Sequence, residues 1–338
     1  MKDGHKPAPL LSVCLPSYNY ASFLRECMDS IRQQTFTAFE WIVVDDASTD
    51  DSPQIIASYD DPRLRLFSHT RRLGAIETWN HCLQVARGEY VAFLCADDFY
   101  LPEKLEAQMG LVERNPALGL VHTDGYWADA AGQITQTFSA TFPGELRDYL
   151  AADHTADAPS ELPRLAGGYN YIHLSNAVFR REAACAAGGF SARFPYAADW
   201  DLWLRLAERC SVGYIARPLA VYRRHSGNLT RAMQASGQEW VDWYGVAEAA
   251  FQRWPPEAGD PTLLRRETLR VIREHLMARV HANYAAGRNL AVRRDLRTGF
   301  RYDPQLRTDL TAWLTYLKSL VGGRRLKYAL MNSGKPPG

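Results

Sequence analysis

LSVCLPSYNYASFLRECMDSIRQQTFTAFEWIVVDD, residues 11–46, is the stretch that decides the fold. It begins inside a short apolar run, residues 10–15, which ends at Pro16 and predicts a buried strand. Residues 21–34 place apolar side chains at helical spacing, and residues 40–44 (EWIVV) have the composition of a second strand. A strand, a helix and a strand in this order predict a βαβ unit, whose two strands are parallel.

The same alternation continues on the C-terminal side of this unit. The patterns predict helices at 52–59, 75–86, 103–114 and 200–210, and strands at 64–67, 90–95, 118–123, 176–180, 212–216 and 220–222. We therefore predict an α/β fold with a Rossmann-like, mostly parallel sheet flanked by helices. Residues 129–168 have weaker periodicity and are interpreted as a mobile loop or lid.

Beyond residue 238 the pattern becomes helical, with a break at WPPEAGDP (254–261). We place a domain boundary near residue 235, between a sheet domain at 1–235 and an α-helical C-terminal extension at 236–338. A chain of 338 residues suits two packed units, because single cores rarely grow beyond about 250–300 residues. Residues 1–260 carry a net charge of −10 and residues 261–338 a net charge of +11, so the two parts are expected to meet different partners.

The composition predicts a protein that folds in a reducing compartment. The six cysteines are scattered without CxxC spacing, which favours reduced core thiols over disulfides or zinc ligands. The longest apolar run is shorter than 18 residues, and the polar N-terminal residues have no signal-peptide core. We expect a cytoplasmic protein with no nucleic-acid partner.

Polar clusters follow three of the predicted strands: SYN (17–19), DDASTDD (45–51) and ADD (96–98). In parallel sheets ligands bind beyond the carboxyl ends of the strands, so these clusters mark a candidate site. The adjacent carboxylates Asp97 and Asp98 suit a divalent cation that bridges to substrate phosphates. The same pair also suits a solvated turn that caps the following helix, and the residues alone leave both interpretations open.

Three further groups have two interpretations each. Arg71 and Arg72 could bind a diphosphate or lie in a solvated turn. Asp199 could be a general base or the cap of the helix that follows it. His225, in RRHSGN (223–228), could be a ligand or a surface histidine.

Taken together, the ordered motifs resemble glycosyltransferase family 2, the inverting enzymes of GT-A fold, including the spore-coat-polysaccharide and O-antigen or capsule types. The resemblance lies in the 11–52 segment, in ARGEYVAFLCADDFYLPEKL, in GGF…ADWDLWLRLAE and in PLAVYRRHSGNLT, and covers about residues 10–230. It implies that Pro16, Tyr18 and Asp46 contact the base and ribose, and that Arg72 also binds the donor. It implies that Asp97 and Asp98 form the D-x-D element, with Asp98 the metal ligand and Asp97 on the sugar or ribose. By the same resemblance His225 lies near the metal or diphosphate, and Asp199 is the general base.

The implied activity is transfer of a sugar from a nucleotide sugar, expected to be a UDP-sugar, with Mn²⁺ or Mg²⁺ as cofactor. The expected acceptor is a hydroxyl of a saccharide or a lipid-linked molecule in surface polysaccharide or glycoconjugate synthesis. Two departures from the family pattern are Cys95, where a third aspartate often stands, and Ala198, where the family has a glutamate. The lack of a Q-x-x-R-W motif argues against a processive synthase.

Three alternatives compete with this interpretation. A catalytically silent relative that only binds nucleotide sugar is supported by Ala198. A nucleotidyltransferase would carry a Gly-rich, Lys-containing loop where this chain has PSYNYAS, and a dehydrogenase would carry GxGxxG after a strand.

The segment LKSLVGGRRLKYAL (317–330) mixes apolar and cationic residues, and either peripheral contact with the inner face of the membrane or plain helix packing would explain it.

Overall fold

The computed structural model describes residues 10–321, and these residues form two compact units. The first unit contains the chain up to Leu165 together with Tyr169–Asn228 and Trp254–Gly259. The second unit contains Ala166–Gly168, Leu229–Arg253 and the residues from Asp260 onward. Two short segments therefore depart from the sequence order: Ala166–Gly168 belongs to the second unit, and Trp254–Gly259 belongs to the first.

The first unit is built on one sheet, and its strands are β1 (Leu11–Ser17), β2 (Phe39–Asp45), β3 (Leu64–Ser68), β4 (Tyr90–Phe93), β5 (Phe99–Tyr100), β6 (Leu118–Ala128), β7 (Ile134–Thr137), β8 (His154–Ala156), β9 (Ala177–Arg180) and β10 (Ser211–Arg223). They are paired in the order β3–β2–β1–β4–β9–β6–β10–β5, while β7 pairs with β6 and β8 pairs with β10. The pairings β3–β2, β2–β1, β1–β4 and β6–β10 are parallel, as the sequence predicts. Strand β9 runs antiparallel to both β4 and β6, so the half of the sheet beyond β4 is mixed.

Helices pack on this sheet and bury its strands. They are α1 (Ala21–Arg32), α2 (Ser52–Ala57), α3 (Ala75–Val85), α4 (Lys104–Arg114), α5 (Gly144–Tyr149), α6 (Leu162–Ala166), α7 (Arg181–Ala186) and α8 (Ala198–Ala207). Helix α1 buries Leu24, Met28 and Ile31, which the helical period places on one face. This face joins a core cluster with alternate residues of the strands, such as Val13 and Val43.

The second unit is helical, with a core of its own around Trp240, Ile272 and Leu296. Its helices are α9 (Leu229–Ser236), α10 (Gln238–Gln252), α11 (Thr262–Ala285), α12 (Asn289–Tyr302), α13 (Pro304–Thr308) and α14 (Leu310–Val321). The predicted break is present, because α10 ends at Gln252 and α11 begins at Thr262. Within residues 10–321, no helix has both the length and the apolar character needed to cross a bilayer.

The structure differs from the sequence expectation most in residues 129–168. The weak periodicity predicts a mobile loop or lid here, but the segment contains β7, α5, β8 and α6. All four elements are short, at three to six residues, and β7 is largely exposed. Elements of this length carry too few buried positions to show a hydrophobic period, and tertiary contacts establish them instead.

Candidate active site

The first two polar clusters meet at the carboxyl edge of the sheet, where β1 and β2 end side by side. Ser17 and Asp45 are register partners at the ends of these strands. Asn19 joins the two loops beyond the strands, because its N–H donates to Ser48 Oγ (2.9 Å) and its side-chain oxygen accepts from the Thr49 N–H (2.8 Å). The predicted contact residue Pro16 lies within β1, half-buried and paired in register with Val44.

Two buried polar atoms at this edge have no hydrogen-bond partner among the described residues. They are Ser17 Oγ and Asp45 Oδ1, on adjacent strands, while Asp45 Oδ2 accepts from the Ser48 N–H (3.0 Å). Leaving a buried polar atom unpaired costs about 1–3 kcal/mol, so such atoms mark places where a ligand gains most by supplying the partner. The polar clusters SYN and DDASTDD contain both residues, while the family resemblance assigns the contacts to their neighbours Pro16, Tyr18 and Asp46.

Both carboxylate oxygens of Asp46 are hydrogen-bonded within the protein. Its two carboxylate oxygens accept from the N–H groups of Leu73 (2.7 Å) and Gly74 (2.8 Å), and His69 Nδ1 lies 2.8 Å from Oδ1. His69 Nε2 is in turn 2.8 Å from Nδ1 of His81, whose pKa is lowered by burial and then by the neighbouring His69. In this structure the Asp46 carboxylate anchors the 69–74 loop, and its contact with base or ribose stays a prediction.

This loop brings Arg72 to Tyr18. The Arg72 guanidinium carbon lies 4.1 Å from the centroid of the Tyr18 ring, a cation–π contact between the loop before α3 and the segment after β1. Gly74, next to the anchor, has a φ of +97°, a conformation that favours glycine. Two of the residues predicted for the donor thus meet in the structure, and the Asp46 anchor positions one of them.

The two aspartates after β4 have different environments. Asp98 is 1% exposed; its Oδ2 accepts from Ser175 Oγ (2.6 Å) and its Oδ1 from the backbone N–H of Arg223 (3.1 Å). Burial, and then the charge of Asp97, raise the pKa of Asp98 well above its ordinary range. Asp98 is therefore held inside the fold, linking the end of β4 to β10.

Asp97, by contrast, faces His225. Asp97 Oδ2 lies 3.0 Å from His225 Nε2 and accepts from Asn228 Nδ2 (2.8 Å). Asn228 also fixes the turn itself, because its Oδ1 accepts from the His225 N–H (2.6 Å). The structure thus brings His225 to Asp97, while the metal pair of Asp98 and His225 expected from the resemblance stays a prediction. Neighbouring residues of a turn project in different directions, and the sequence does not say which one faces β10.

Arg223 joins these parts and was not singled out from the sequence. It is 3% exposed, its Nε donates to the backbone oxygen of Asp97 (3.0 Å), and its guanidinium pairs with Glu26 Oε2 (2.5 Å). The same guanidinium lies 5.0 Å from the centroid of the Phe23 ring. Its signal in the sequence was its place in RRHSGN, two residues before the histidine.

Asp199 lies in the first turn of α8, and its environment suits proton transfer. Oδ1 accepts from the Trp200 N–H (2.7 Å) and from Asn170 Nδ2 (3.2 Å), and burial raises the pKa of Asp199 to about 6. Both of the hydrogen bonds described at this carboxylate end on Oδ1, which leaves Oδ2 for a substrate. The nearby Asp201 is paired with Arg205 (2.7 Å) and is not available for the same task.

Cys95 lies between β4 and the two aspartates, at the position where the family pattern often has a third aspartate. Burial raises the pKa of its thiol well above its ordinary value, and the negative charges of Asp98, Asp97 and Asp199 raise it further. The Cys95 N–H also donates to Ser175 Oγ (3.2 Å), the hydroxyl that binds Asp98. A small neutral residue here avoids adding a fourth negative charge to the cluster.

A family model described as Glycosyl transferase family 2 matches residues 12–184. An uncharacterised protein of Mycobacterium tuberculosis is 33% identical over 69% of this chain and 73% of its own length. The O-antigen biosynthesis protein RfbC of Myxococcus xanthus is 29% identical over 70% of this chain, a stretch that spans only 17% of RfbC.

Solved structures share the fold. TarS of S. aureus in complex with UDP superposes with a TM-score of 0.61 at 16% identity, over 91% of this chain and 88% of that one. The mannosyltransferase PcManGT of Pyrobaculum calidifontis, in complex with GDP-Man and Mn²⁺, gives a TM-score of 0.56 at 21% identity, over 93% and 86% of the two chains. At these identities the likeness shows a common fold.

The Asp46 anchor predicts a local change in backbone protection. In Asp46→Ala the Leu73 and Gly74 N–H groups lose a charged acceptor, so their hydrogen exchange should become at least about tenfold faster, as expected from the loss of a charge-assisted hydrogen bond. Exchange of peptides covering 70–78 measures this change. Asp51→Ala, an exposed residue, is the control; equal exchange in both variants would show that Asp46 does not hold the loop.

Proposed function

The chain belongs to glycosyltransferase family 2, and on that premise we propose that it is an inverting enzyme that uses a UDP-sugar. The acceptor is a hydroxyl group of a saccharide or lipid-linked molecule in surface polysaccharide or glycoconjugate synthesis, a role supported by the similarity to the O-antigen biosynthesis protein. One observation carries the proposal: the Asp97 carboxylate contacts His225 beyond the end of β4, and the Asp199 carboxylate is oriented by Asn170 and by the Trp200 N–H. The sheet-bearing unit is accordingly proposed as the catalytic domain.

The unpaired atoms of Ser17 and Asp45 support a donor site for the nucleotide base. A carboxylate oxygen only accepts hydrogen bonds, and the imide N–H of uracil supplies the donor that Asp45 Oδ1 lacks among the described residues. The Arg72 guanidinium, exposed beside Tyr18, supplies planar N–H donors that suit a diphosphate. The base thus meets Asp45 in this proposal, in place of Asp46.

Asp97 and His225 are the residues proposed to hold Mn²⁺ or Mg²⁺. Within residues 10–321 no group of three or more His, Cys, Asp or Glu side chains is arranged as a metal cage. A carboxylate oxygen and an imidazole nitrogen 3.0 Å apart nevertheless fit a cation that takes its remaining ligands from water and the donor diphosphate. When bound, the cation stabilises the negative charge of the departing diphosphate.

Asp199 is the proposed general base. Its Oδ2 accepts the proton of the acceptor hydroxyl as the hydroxyl oxygen attacks the anomeric carbon from the face opposite the diphosphate. The carbon–oxygen bond to the diphosphate breaks as the new glycosidic bond forms, so the anomeric configuration inverts. The hydrogen bonds from Asn170 and Trp200 hold the other oxygen and orient the carboxylate.

Asn170 also supports a hydrogen bond to the acceptor. Ala198 stands where family members place a glutamate before the base, and a methyl side chain forms no hydrogen bond. Asn170 Oδ1 is buried and has no hydrogen-bond partner among the described residues, while its Nδ2 donates to Asp199. We propose that this amide oxygen accepts from an acceptor hydroxyl and so does the work of the glutamate that is absent at position 198.

The base assignment predicts a loss of turnover and a specific pH dependence. Asp199→Asn should lower kcat by at least about 100-fold, because general-base catalysis contributes that much, while UDP binding stays nearly unchanged. In the unchanged protein kcat/KM should fall about tenfold per pH unit below a pKa of about 6, since protonated Asp199 accepts no proton. Release of UDP from a panel of UDP-sugars measures both.

Glu182→Gln, which changes an exposed acid in the first turn of α7, is the matched control and should retain activity. Normal turnover by Asp199→Asn would remove the base role. If the unchanged protein binds UDP-sugars but neither transfers nor hydrolyses any of them, the alternative of a catalytically silent relative is correct.

The two aspartates should respond differently to metal. Asp97→Asn should weaken Mn²⁺ binding in the presence of UDP by about 10–100-fold, the size expected for loss of a ligand or its support. Asp98→Asn should bind Mn²⁺ nearly as well, because Asp98 is not a proposed ligand and the asparagine oxygen still accepts from the Arg223 N–H. Isothermal titration with Mn²⁺ distinguishes them, and the reverse order of affinities would restore Asp98 as the ligand.

The last described helix supports peripheral membrane contact. Five large apolar side chains of α14 are 40–71% exposed, and their spacing places them along one side of the helix: Leu310, Trp313, Leu314, Leu317 and Leu320. The predicted segment 317–330 begins within this helix; residues 322–330 lie outside the described residues, and their sequence contains Arg324, Arg325 and Lys327. An apolar face beside cationic residues is typical of helices that bind anionic bilayers.

The membrane proposal is tested by co-sedimentation with vesicles that contain acidic lipids. The full chain should sediment at low salt, and the double variant Leu314→Glu, Leu317→Glu should stay in the supernatant because two charges enter the apolar face. Leu290→Glu, at a leucine of α12 that is 78% exposed, controls for added charge on the same unit. A full chain that does not sediment at low salt would overturn the proposal.

A further inference from the structure

The helical unit contains a cleft of its own, of about 540 Å³. Helices α10, α11 and α12 line it, and its walls include Trp240, Trp243, Arg279, Asn283, Arg288 and Arg294. Its volume lies within the range of about 300–1,000 Å³ that is usual for small-molecule sites. None of these residues has a part in the reaction proposed above.

Two hydrogen-bond donors in this cleft are unused. Trp240 is 2% exposed, yet its Nε1 has no hydrogen-bond partner among the described residues. Within the same part of the chain, one terminal guanidinium nitrogen of Arg279 is also buried and unpaired, and its guanidinium carbon lies 4.2 Å from the centroid of the Trp240 ring. Both groups are donors, so the complementary ligand supplies acceptor oxygens.

The charges of the cleft favour an anion. Arg279 already pairs with Glu239 and with Asp295 (3.0 Å), and Arg294 pairs with the same Asp295 (2.7 Å). Arg288 is exposed, and the hydrogen bond described for its side chain goes to the neutral Asn283 (2.8 Å). The guanidinium groups of Arg279, Arg288 and Arg294 thus outnumber the two carboxylates by one. Arg288, which has no carboxylate partner among the ion pairs described, supplies the excess positive charge.

The aromatic wall indicates more than a bare ion. Trp240 and Trp243 meet edge to face with ring centroids 5.8 Å apart, and both line the cleft. Large rigid aromatic surfaces bind the apolar face of a ring-shaped ligand, while the unused donors fix its orientation. A sugar ring that carries an oxyanion has both features.

We propose that this cleft is a second binding site, for an anionic saccharide, in the helical unit. The oxyanion lies against Arg288 and the unpaired nitrogen of Arg279, and the sugar ring packs on the more exposed Trp243 with an oxygen accepting from Trp240 Nε1. Phosphate and carboxylate present the same oxyanion chemistry to guanidinium groups. The site concerns binding alone, so it stands or fails independently of the transfer reaction.

Isothermal titration of the full chain with glucose 1-phosphate tests the proposal, with excess UDP present to occupy the sheet-bearing unit. Saturable binding is expected, with Arg288→Gln about tenfold weaker, because the variant removes a charge-assisted hydrogen bond to the oxyanion. Trp240→Phe should also weaken binding several-fold. It removes a donor that has no hydrogen-bond partner among the described residues, so the fold loses no hydrogen bond there.

Arg266→Gln, at an exposed arginine of α11, removes the same charge from the unit outside the cleft and should bind as the unchanged chain does. Equal affinities in all three variants, or no saturable binding, overturn the proposal. Glucose binding as tightly as glucose 1-phosphate would refute the anion requirement, and inorganic phosphate binding as tightly would refute the saccharide. Glucuronate in place of glucose 1-phosphate then shows whether a carboxylate is accepted.

Discussion

The buried carboxylate of Asp98 is the constraint on which the rest of the site depends. Its oxygens accept hydrogen bonds from the Ser175 hydroxyl, before β9, and from the Arg223 N–H of β10. These two residues lie 77 and 125 positions away in the chain. These two hydrogen bonds fix the turn after β4 relative to β10. Asp97 is thereby placed against the 225–228 turn, and Arg223 against the backbone of Asp97.

A second carboxylate has a comparable role on the other side of the sheet edge. Asp46 uses both oxygens to hold the loop that carries Arg72, and a pair of histidines supports it from behind. Asp98 and Asp46, which the sequence suggests as ligand-binding residues, thus each hold a neighbouring segment in place. These segments carry residues that are proposed to contact the substrate. Of the neighbours of these anchors, Asp45 has a buried oxygen with no hydrogen-bond partner among the described residues, and Asp97 contacts His225 and Asn228.

Unused polar atoms give the most informative view of binding in this protein. Ser17 Oγ and Asp45 Oδ1 lie at the edge of the sheet, Asn170 Oδ1 beside the proposed base, and Trp240 Nε1 in the cleft of the helical unit; none has a hydrogen-bond partner in the part of the chain described. Each is buried, so water cannot easily compensate it. The sequence placed Ser17 and Asp45 within polar clusters, but it did not show that any of the four atoms lacks a partner, because a residue's type does not reveal whether its polar atom is hydrogen-bonded.

The sequence by itself determined the α/β class, the alternation of α1–α3 with β1–β4, the helical C-terminal region and the family. Helical and strand periodicities are local, and several ordered motifs together identify a family without knowledge of any contact. Only the tertiary structure decided the antiparallel insertion of β9, the elements within 129–168, and which of two adjacent aspartates contacts His225. These outcomes depend on hydrogen bonds and packing between residues far apart in the chain. No local pattern records them, because the partners meet only after the sheet has formed.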